Sequence, residues 1–190
     1  MEFWKKYISN DIKHRTKVLI PALSDCFLYF LNKNKIADVK LGHTVFVCHG
    51  NVCRSPFAEY YLRSRIPKSA ILVESCGLNV HHCGPSPEMA INVSEELGVD
   101  LNPHLSKSYT ACDLAHADLI IPMEYSQYLH LLSIFPNYRE KIYLLKDFSA
   151  WPHRFSCNIY DPYGRGKSVY KDCFRQIQKA IDLMLARQDL

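Results

Sequence analysis

Residues 43–67 read HTVFVCHGNVCRSPFAEYYLRSRIP, a succession that predicts a strand, a tight loop and a helix. The run 43–47 is β-branched and aromatic, which is typical of a buried strand. The pair Gly50-Asn51 indicates a turn. Apolar residues then recur at helical spacing until Pro67, which ends the helix. A strand that leads directly into a helix is the repeating unit of α/β proteins, so this stretch predicts that fold class.

The same alternation continues along the rest of the chain. Buried strands are predicted at residues 70–75, 117–123 and 141–145, and helices at residues 87–98, 125–134 and 168–186. Alternating strands and helices predict a parallel sheet with helices on both faces. Such sheets bind ligands at the carboxyl ends of their strands, so the loop after the first strand is the first candidate site.

The composition is that of an ordinary globular chain of 190 residues, with 48% hydrophobic and 22% charged residues. Residues 1–40 hold eight of the 23 Lys and Arg and four of the 19 Asp and Glu, which leaves 15 of each sign after them. This balance, without a recognition motif, disfavours nucleic-acid binding. The eight cysteines are irregularly spaced, which indicates reduced cytoplasmic thiols and offers no zinc-binding pattern.

The N-terminal segment differs from the rest, because residues 1–41 are basic and aromatic and contain no glycine. We therefore expect a helical extension over residues 1–41 and one α/β domain over residues 42–190. Residues 1–40 have two interpretations: they contact an anionic membrane surface or a partner, or they pack on the domain. The second is favoured, because a basic amphipathic pattern alone supports membrane binding weakly. No stretch of the sequence is long and apolar enough to cross a membrane.

The loop CHGNVCRS, residues 48–55, combines features that suit a bound phosphate. A loop that wraps an anion turns backbone N–H groups inward, and the following helix points its positive end at the same spot. Gly50 allows close approach and unusual backbone angles, and Asn51 tolerates a positive φ. Arg54 supplies a planar fork for two phosphate oxygens. The candidate binding residues beside Arg54 are His49, Gly50, Asn51, Val52, Cys53 and Ser55.

The same positive field favours the thiolate of Cys48, which would then be a nucleophile at neutral pH. It would attack phosphorus, and Ser55 would donate a hydrogen bond to the sulfur when it leaves. No metal is needed, because the loop supplies positive charge. A leaving phenolate needs an acid, and the candidate is Asp161 in IYDPYG, where Tyr163 offers a flat wall. From spacing alone, a simple Asp-Pro turn is the better interpretation.

Several motifs together resemble the low-molecular-weight protein tyrosine phosphatases. They are VFVCHGNVCRSPFAEYYLR at 45–63, SCGL at 75–78, LNPHLSK at 101–107, ADLIIPME at 117–124, IYLLKDF at 142–148 and DPYG at 161–164. The resemblance covers nearly all of residues 43–186 and implies that residues 42–190 are a catalytic domain. It implies a three-layer fold with a four-stranded parallel sheet flanked by helices. It also implies hydrolysis of phosphotyrosine in proteins through a cysteinyl-phosphate, without a cofactor.

The resemblance also implies roles for single residues. Cys48 is the nucleophile, Arg54 binds the phosphate, and Asp161 is the general acid and then the base. Ser75 and His104 would support the loop through hydrogen bonds.

The resemblance also allows three further residues to be compared with the family. Cys53 matches a loop cysteine that in relatives forms a reversible disulfide with the nucleophile. Tyr163 matches the aromatic wall of the substrate pocket. His49 departs from the family, where an apolar residue is common, and either alters substrate preference or faces solvent.

Two other functions stay open. Related domains reduce arsenate on the same loop, but that chemistry needs relay cysteines after the third strand, and residues 121–133 contain none. The other is a phosphotyrosine-binding module without turnover, although all three catalytic residue types are present. The substrate is open among host signalling proteins, a bacterial tyrosine kinase of polysaccharide export and protein arginine phosphate.

Overall fold

The computed structural model describes residues 27, 29, 40–67, 71–150 and 157–187. The strands are β1 (His43–Cys48), β2 (Leu72–Gly77) and β3 (Leu119–Pro122). The α-helices with described bounds are α1 (Arg54–Arg65), α2 (Glu88–Glu96), α3 (Tyr125–Ile134) and α4 (Lys167–Ala186). Short 3₁₀ helices lie at Tyr109–Ala111, Pro136–Lys141 and Leu145–Phe148.

Strand β1 is the centre of a parallel sheet. Within the described residues the strand order is β2–β1–β3, and Val45 is level with Glu74 on one side and Ile120 on the other. A central parallel strand is buried on both faces, which explains the apolar run 45–47 within β1. The parallel sheet with flanking helices confirms the predicted fold class.

The predicted fourth strand is reduced to a single bridge. Ile142 pairs in parallel with Ile120, and the Tyr143 N–H donates to the Ile120 carbonyl at 3.1 Å. Pairing extends no further, because 3₁₀ helices adjoin this segment on both sides. The next N–H, that of Leu144, donates to the hydroxyl of Tyr29 at 3.3 Å. In the described part of the chain the sheet therefore has three strands instead of the predicted four.

Strand β1 supplies side chains to two hydrophobic cores. Phe46 belongs to the first core, where Phe57 of α1 and Phe174 of α4 stack with ring centroids 4.0 Å apart. Val45 and Val47 belong to the second core, on the α3 side of the sheet. Because successive side chains of a strand point to opposite faces, both cores fix the position of the strand's C-terminal end.

The N-terminal extension is described at two helical positions with opposite environments. Phe27 is 64% exposed, whereas Tyr29 is 2% exposed and belongs to the second core. Apart from these positions and Lys40, the predicted contact of residues 1–40 with a membrane or partner falls outside the described residues. Among the residues that the structure describes, no helix has both the length and the apolar character needed to cross a membrane.

Candidate active site

The loop after β1 lies against the end of β2. The Leu78 N–H donates to the Cys48 carbonyl at 3.0 Å. A side chain on Gly77 would place its Cβ 2.8 Å from the His49 carbonyl oxygen and 2.9 Å from the Asn51 nitrogen. Only glycine fits at such a close approach. Gly77 is thus a residue of the site that sequence reasoning missed, although a glycine at the end of a buried strand was a signal for it.

Gly50 contributes less than the sequence predicted. It does not adopt a left-handed conformation, and a Cβ there would meet only a Val52 methyl group at 3.7 Å. The left-handed angle belongs instead to Asn51, at φ 53°. Asparagine is one of the few non-glycine residues that adopts this region readily. The turn of the loop therefore depends on Asn51.

Two hydrogen bonds converge on the sulfur of Cys48. The Asn51 N–H donates to it at 3.2 Å and the Ser55 hydroxyl at 3.0 Å. Helix α1 begins at Arg54, so its positive end lies beside the same sulfur. Donors and a helix N-terminus both stabilise a thiolate, so this sulfur is suited to nucleophilic attack.

The side chain of Asn51 ties the loop to its neighbours. Its amide nitrogen donates to Ser55 Oγ at 2.9 Å and to Ser75 Oγ at 2.8 Å. Its amide oxygen accepts the Lys107 N–H at 2.8 Å, and its backbone carbonyl lies 2.7 Å from His104 Nε2. The structure thus brings Ser75 and His104 to the loop. Lys107 is a further contact that the sequence reasoning missed.

His104 supports the loop as a neutral ring. Burial lowers the pKa of His104 more than the hydrogen bond to the Asn51 carbonyl raises it. Since a carbonyl can only accept, Nε2 carries the proton.

Arg54 is 1% exposed, and its guanidinium reaches three acceptors. Nη1 donates to a Glu124 carboxylate oxygen and, at 2.8 Å, to the Ile159 carbonyl. Nη2 donates to Asp161 Oδ2 at 2.6 Å. Burial disfavours the charge, but Cys48 and the two carboxylates outweigh burial and hold the pKa of Arg54 above its ordinary value. Sequence reasoning gave Glu124 no role, although it is the last residue of the motif ADLIIPME, which leads into α3.

The Nε–H group of Arg54 differs from the other donors of the side chain. Among the described residues, the buried Nε of Arg54 has no hydrogen-bond partner. Buried N–H groups without an acceptor are rare, because they lose water without compensation. An anion bound in the loop would supply the missing acceptor.

The loop that carries Asp161 is more open than the phosphate-binding loop. The Asp161 side chain is 40% exposed, and its Oδ1 accepts the Tyr163 N–H at 3.1 Å. The Tyr163 side chain is 63% exposed. Through Arg54, the structure brings together Asp161 and the loop of Cys48, which lie more than 100 residues apart in the sequence.

His49 and Val52 lie on different sides of the loop. Val52 is half-buried and packs against the first core. His49 is exposed, and its Nε2 lies 3.2 Å from the amide nitrogen of Asn79. Together with residues of α3, including Gln127 and His130, it lines a cavity of about 330 Å³ beside the loop.

The second cysteine of the loop differs from the first. Cys53 is buried, and its sulfur lies 3.7 Å from the Tyr170 hydroxyl. Burial raises the pKa of Cys53 to about 12, although the hydrogen bond with Tyr170 lowers it. Cys53 is therefore a neutral thiol at physiological pH. Its disulfide with Cys48 stays a prediction. Within the described part of the chain, no group of three or more His, Cys, Asp or Glu side chains is placed to hold a metal ion.

Comparison with known proteins gives a consistent result. The family described as low molecular weight phosphotyrosine protein phosphatase matches residues 43–189. The low molecular weight protein-tyrosine-phosphatase Ptp of Acinetobacter johnsonii is 32% identical over 135 residues, which are 71% of this chain and 89% of that protein. A protein-arginine-phosphatase of Bacillus subtilis is 30% identical over 146 residues, which are 76% of this chain and 94% of that protein.

A solved structure agrees with these relatives. The low molecular weight protein tyrosine phosphatase from T. tengcongensis is similar with a TM-score of 0.68 and 32% sequence identity. The similarity covers 77% of this chain and 99% of that one.

Proposed function

The chain belongs to the low molecular weight phosphotyrosine protein phosphatase family, and we propose that it hydrolyses phosphotyrosine in proteins with Cys48 as nucleophile, Arg54 as phosphate ligand and Asp161 as general acid. Membership of this family implies phosphoprotein substrates. One observation carries the proposal: within the described residues the buried Nε–H of Arg54 lacks an acceptor, and the sulfur of Cys48 in the same loop receives two hydrogen bonds.

In the first step, Arg54 and the backbone N–H groups of the loop bind the oxygens of the phosphate. The Cys48 thiolate attacks phosphorus, and the bond from phosphorus to the tyrosine oxygen breaks. Asp161 donates its proton to that oxygen, so tyrosine leaves as a neutral phenol. Asp161 must exchange its contact with Arg54 for the leaving oxygen, and its partial exposure permits this exchange.

In the second step, water attacks the phosphorus of the cysteinyl-phosphate. The Asp161 carboxylate takes a proton from that water as the new bond forms. The bond between sulfur and phosphorus breaks, and inorganic phosphate is released. Cys48 leaves as a thiolate, which the Ser55 hydroxyl and the Asn51 N–H stabilise at 3.0 and 3.2 Å.

Rapid quenching of the full-length protein with a phosphotyrosine peptide carrying radiolabelled phosphate tests this chemistry. We expect label bound covalently to the wild type and none on Cys48→Ala, which has neither a thiol nor a hydroxyl at that position. A phosphoarginine peptide is the matched substrate, and we expect phosphotyrosine to be preferred, because the exposed Tyr163 ring lies beside Asp161. A wild type that bound the peptide without turnover would support a binding module instead.

The relatives are phosphatases by name, so they support neither arsenate reduction nor phosphotyrosine binding without turnover. Arsenate-dependent oxidation of thioredoxin by the wild type would nevertheless favour arsenate reduction over the proposed activity.

We further propose that residues 1–41 form an extension to a catalytic domain over residues 42–190, and that the protein acts in the cytoplasm. The start of the family match at residue 43 supports the boundary. The seven described cysteines are free thiols, as a reducing compartment would keep them. Contact of residues 1–40 with an anionic membrane or a partner stays a prediction. Equal sedimentation of the full-length chain with anionic and neutral vesicles would contradict the membrane contact.

A further inference from the structure

The extension inserts one aromatic side chain into the second core of the catalytic domain. The ring of Tyr29 meets Tyr128 edge to face, with centroids 5.1 Å apart and planes at 86°. It meets Tyr125 in the same way, with centroids 5.8 Å apart and planes at 70°. Both partners lie in the first turns of α3. Edge-to-face contacts of this kind favour one relative orientation of the rings, so Tyr29 restrains the start of that helix.

The hydroxyl of Tyr29 makes a second set of contacts. It donates to a carboxylate oxygen of Asp147, which is itself buried, and it accepts the Leu144 N–H at 3.3 Å. Burial, and then Asp147, raise the pKa of Tyr29, so the hydroxyl remains a neutral donor. A buried carboxylate is costly without donors, so this contact stabilises the segment after Tyr143. The ring and the hydroxyl thus serve different parts of the domain.

The start of α3 is also where the acceptors of Arg54 Nη1 are held. Glu124, one of these acceptors, directly precedes Tyr125. The Tyr125 N–H donates to Asn158 Oδ1 at 2.7 Å, and the next residue is Ile159, whose carbonyl is the other acceptor at 2.8 Å. Tyr125 therefore connects both acceptors of Arg54 Nη1 to the ring of Tyr29.

We propose that Tyr29 is a positioning residue for the phosphate-binding Arg54: by packing on Tyr125 it holds Glu124 and Ile159 where they orient the guanidinium. The inference rests on the proposed function in assigning Arg54 to phosphate. Tyr29 precedes residues 43–189, over which the family matches, so the extension supplies this contact. The extension is then part of the catalytic unit.

Binding of inorganic phosphate to full-length variants, measured by calorimetry, tests the inference without using turnover. Tyr29→Ala is expected to weaken phosphate binding by about 10-fold, since two ring contacts are lost. Tyr29→Phe keeps the ring and is expected to bind within about 2-fold of the wild type, but to melt at a lower temperature, because Asp147 loses a donor. Phe27→Ala is the matched control, because Phe27 lies at a nearby helical position and is exposed, and it should match the wild type.

A purely structural role would lower the melting temperature of Tyr29→Ala without changing the dissociation constant for phosphate, and that result would overturn the inference. So would a Tyr29→Phe variant as weak as Tyr29→Ala. If Tyr29→Ala does not fold, Tyr29→Leu removes the ring and retains apolar volume, and we expect it to bind phosphate more weakly than Tyr29→Phe. Equal affinities of these two variants would contradict the proposal.

A double-mutant cycle with Glu124→Gln gives the sharpest form of the test. If Tyr29 acts through Glu124, Tyr29→Ala should weaken phosphate binding less in the Glu124→Gln background than in the wild type. If the two substitutions change the free energy of phosphate binding additively, Tyr29 does not act through Glu124. A wild type that binds phosphate in a Tyr29-dependent way but hydrolyses nothing would support the positioning role and reject the proposed function. A wild type that does not bind phosphate would reject both.

Discussion

The phosphate loop, residues 48–55, and the acid loop, residues 157–166, meet at Arg54 but are held in opposite ways. Asn51 fixes the phosphate loop through hydrogen bonds to three buried residues and to the half-buried Lys107. The acid loop presents Asp161 and its neighbours partly to solvent. This contrast fits the chemistry, because the charge of the phosphate develops at one fixed place, where prearranged donors stabilise it most. In the proposed mechanism, Asp161 must change partners between Arg54, the leaving oxygen and water.

The largest effect on activity should come from a substitution in the phosphate loop. Cys48→Ser replaces the nucleophilic sulfur, so we expect no measurable hydrolysis of p-nitrophenyl phosphate while the protein still binds inorganic phosphate. Cys83→Ser changes an exposed cysteine and is the matched control, which should retain the wild-type rate. Residual turnover in Cys48→Ser close to the wild-type rate would place the nucleophile elsewhere.

A substitution in the acid loop should reduce activity less. Asp161→Ala removes the proposed general acid, and we expect turnover of a phosphotyrosine peptide to fall by about 10²-fold. The loss should be smaller for p-nitrophenyl phosphate, because its leaving group is less basic and needs less protonation. Steady-state rates on both substrates check this difference. Equal losses would mean that Asp161 acts mainly through its contact with Arg54, which Asp161→Asn would then largely preserve.

The rigidity of the phosphate loop can be weakened directly. Asn51→Ala removes side-chain hydrogen bonds to Ser55, Ser75 and Lys107, and it leaves alanine at a positive φ. At about 1 kcal/mol for each bond, we expect the free energy of unfolding to fall by about 2–4 kcal/mol. Chemical denaturation measures this change, and Asn92→Ala, at an exposed position of α2, should have almost no effect.

The smallest effect should appear in the pH dependence of stability. Burial lowers the pKa of His104 in the folded state, whereas an unfolded histidine has a pKa of about 6.5. The unfolded state therefore binds more protons in acid, so this contribution to stability is present above pH of about 6.5 and is lost as the pH falls. His104→Gln should flatten the loss of stability between pH 7 and 5. His81→Gln, at an exposed histidine, should leave the slope unchanged.

The fold class was predictable because its signals are local. The order of strand, turn and helix over residues 43–67 reflects steric preferences of neighbouring residues, and the structure reproduces it in β1 and α1. The fourth strand was over-predicted because residues 141–145, KIYLL, have a local strand pattern. Pairing beyond Tyr143 depends instead on which groups pack beside that segment. There the Leu144 N–H bonds to Tyr29, which a local pattern cannot indicate.

The candidate site shows the same division between local and distant contacts. Cys48, Asn51, Arg54 and Ser55 lie within eight residues, so the sequence alone predicted a phosphate-binding loop with one candidate nucleophile between a strand and a helix. Only the tertiary structure identified the distant contacts of this loop, at Gly77, Lys107, Glu124 and Tyr29. Backbone geometry fixes which groups meet within a turn, whereas groups far apart in sequence meet only after both cores have packed.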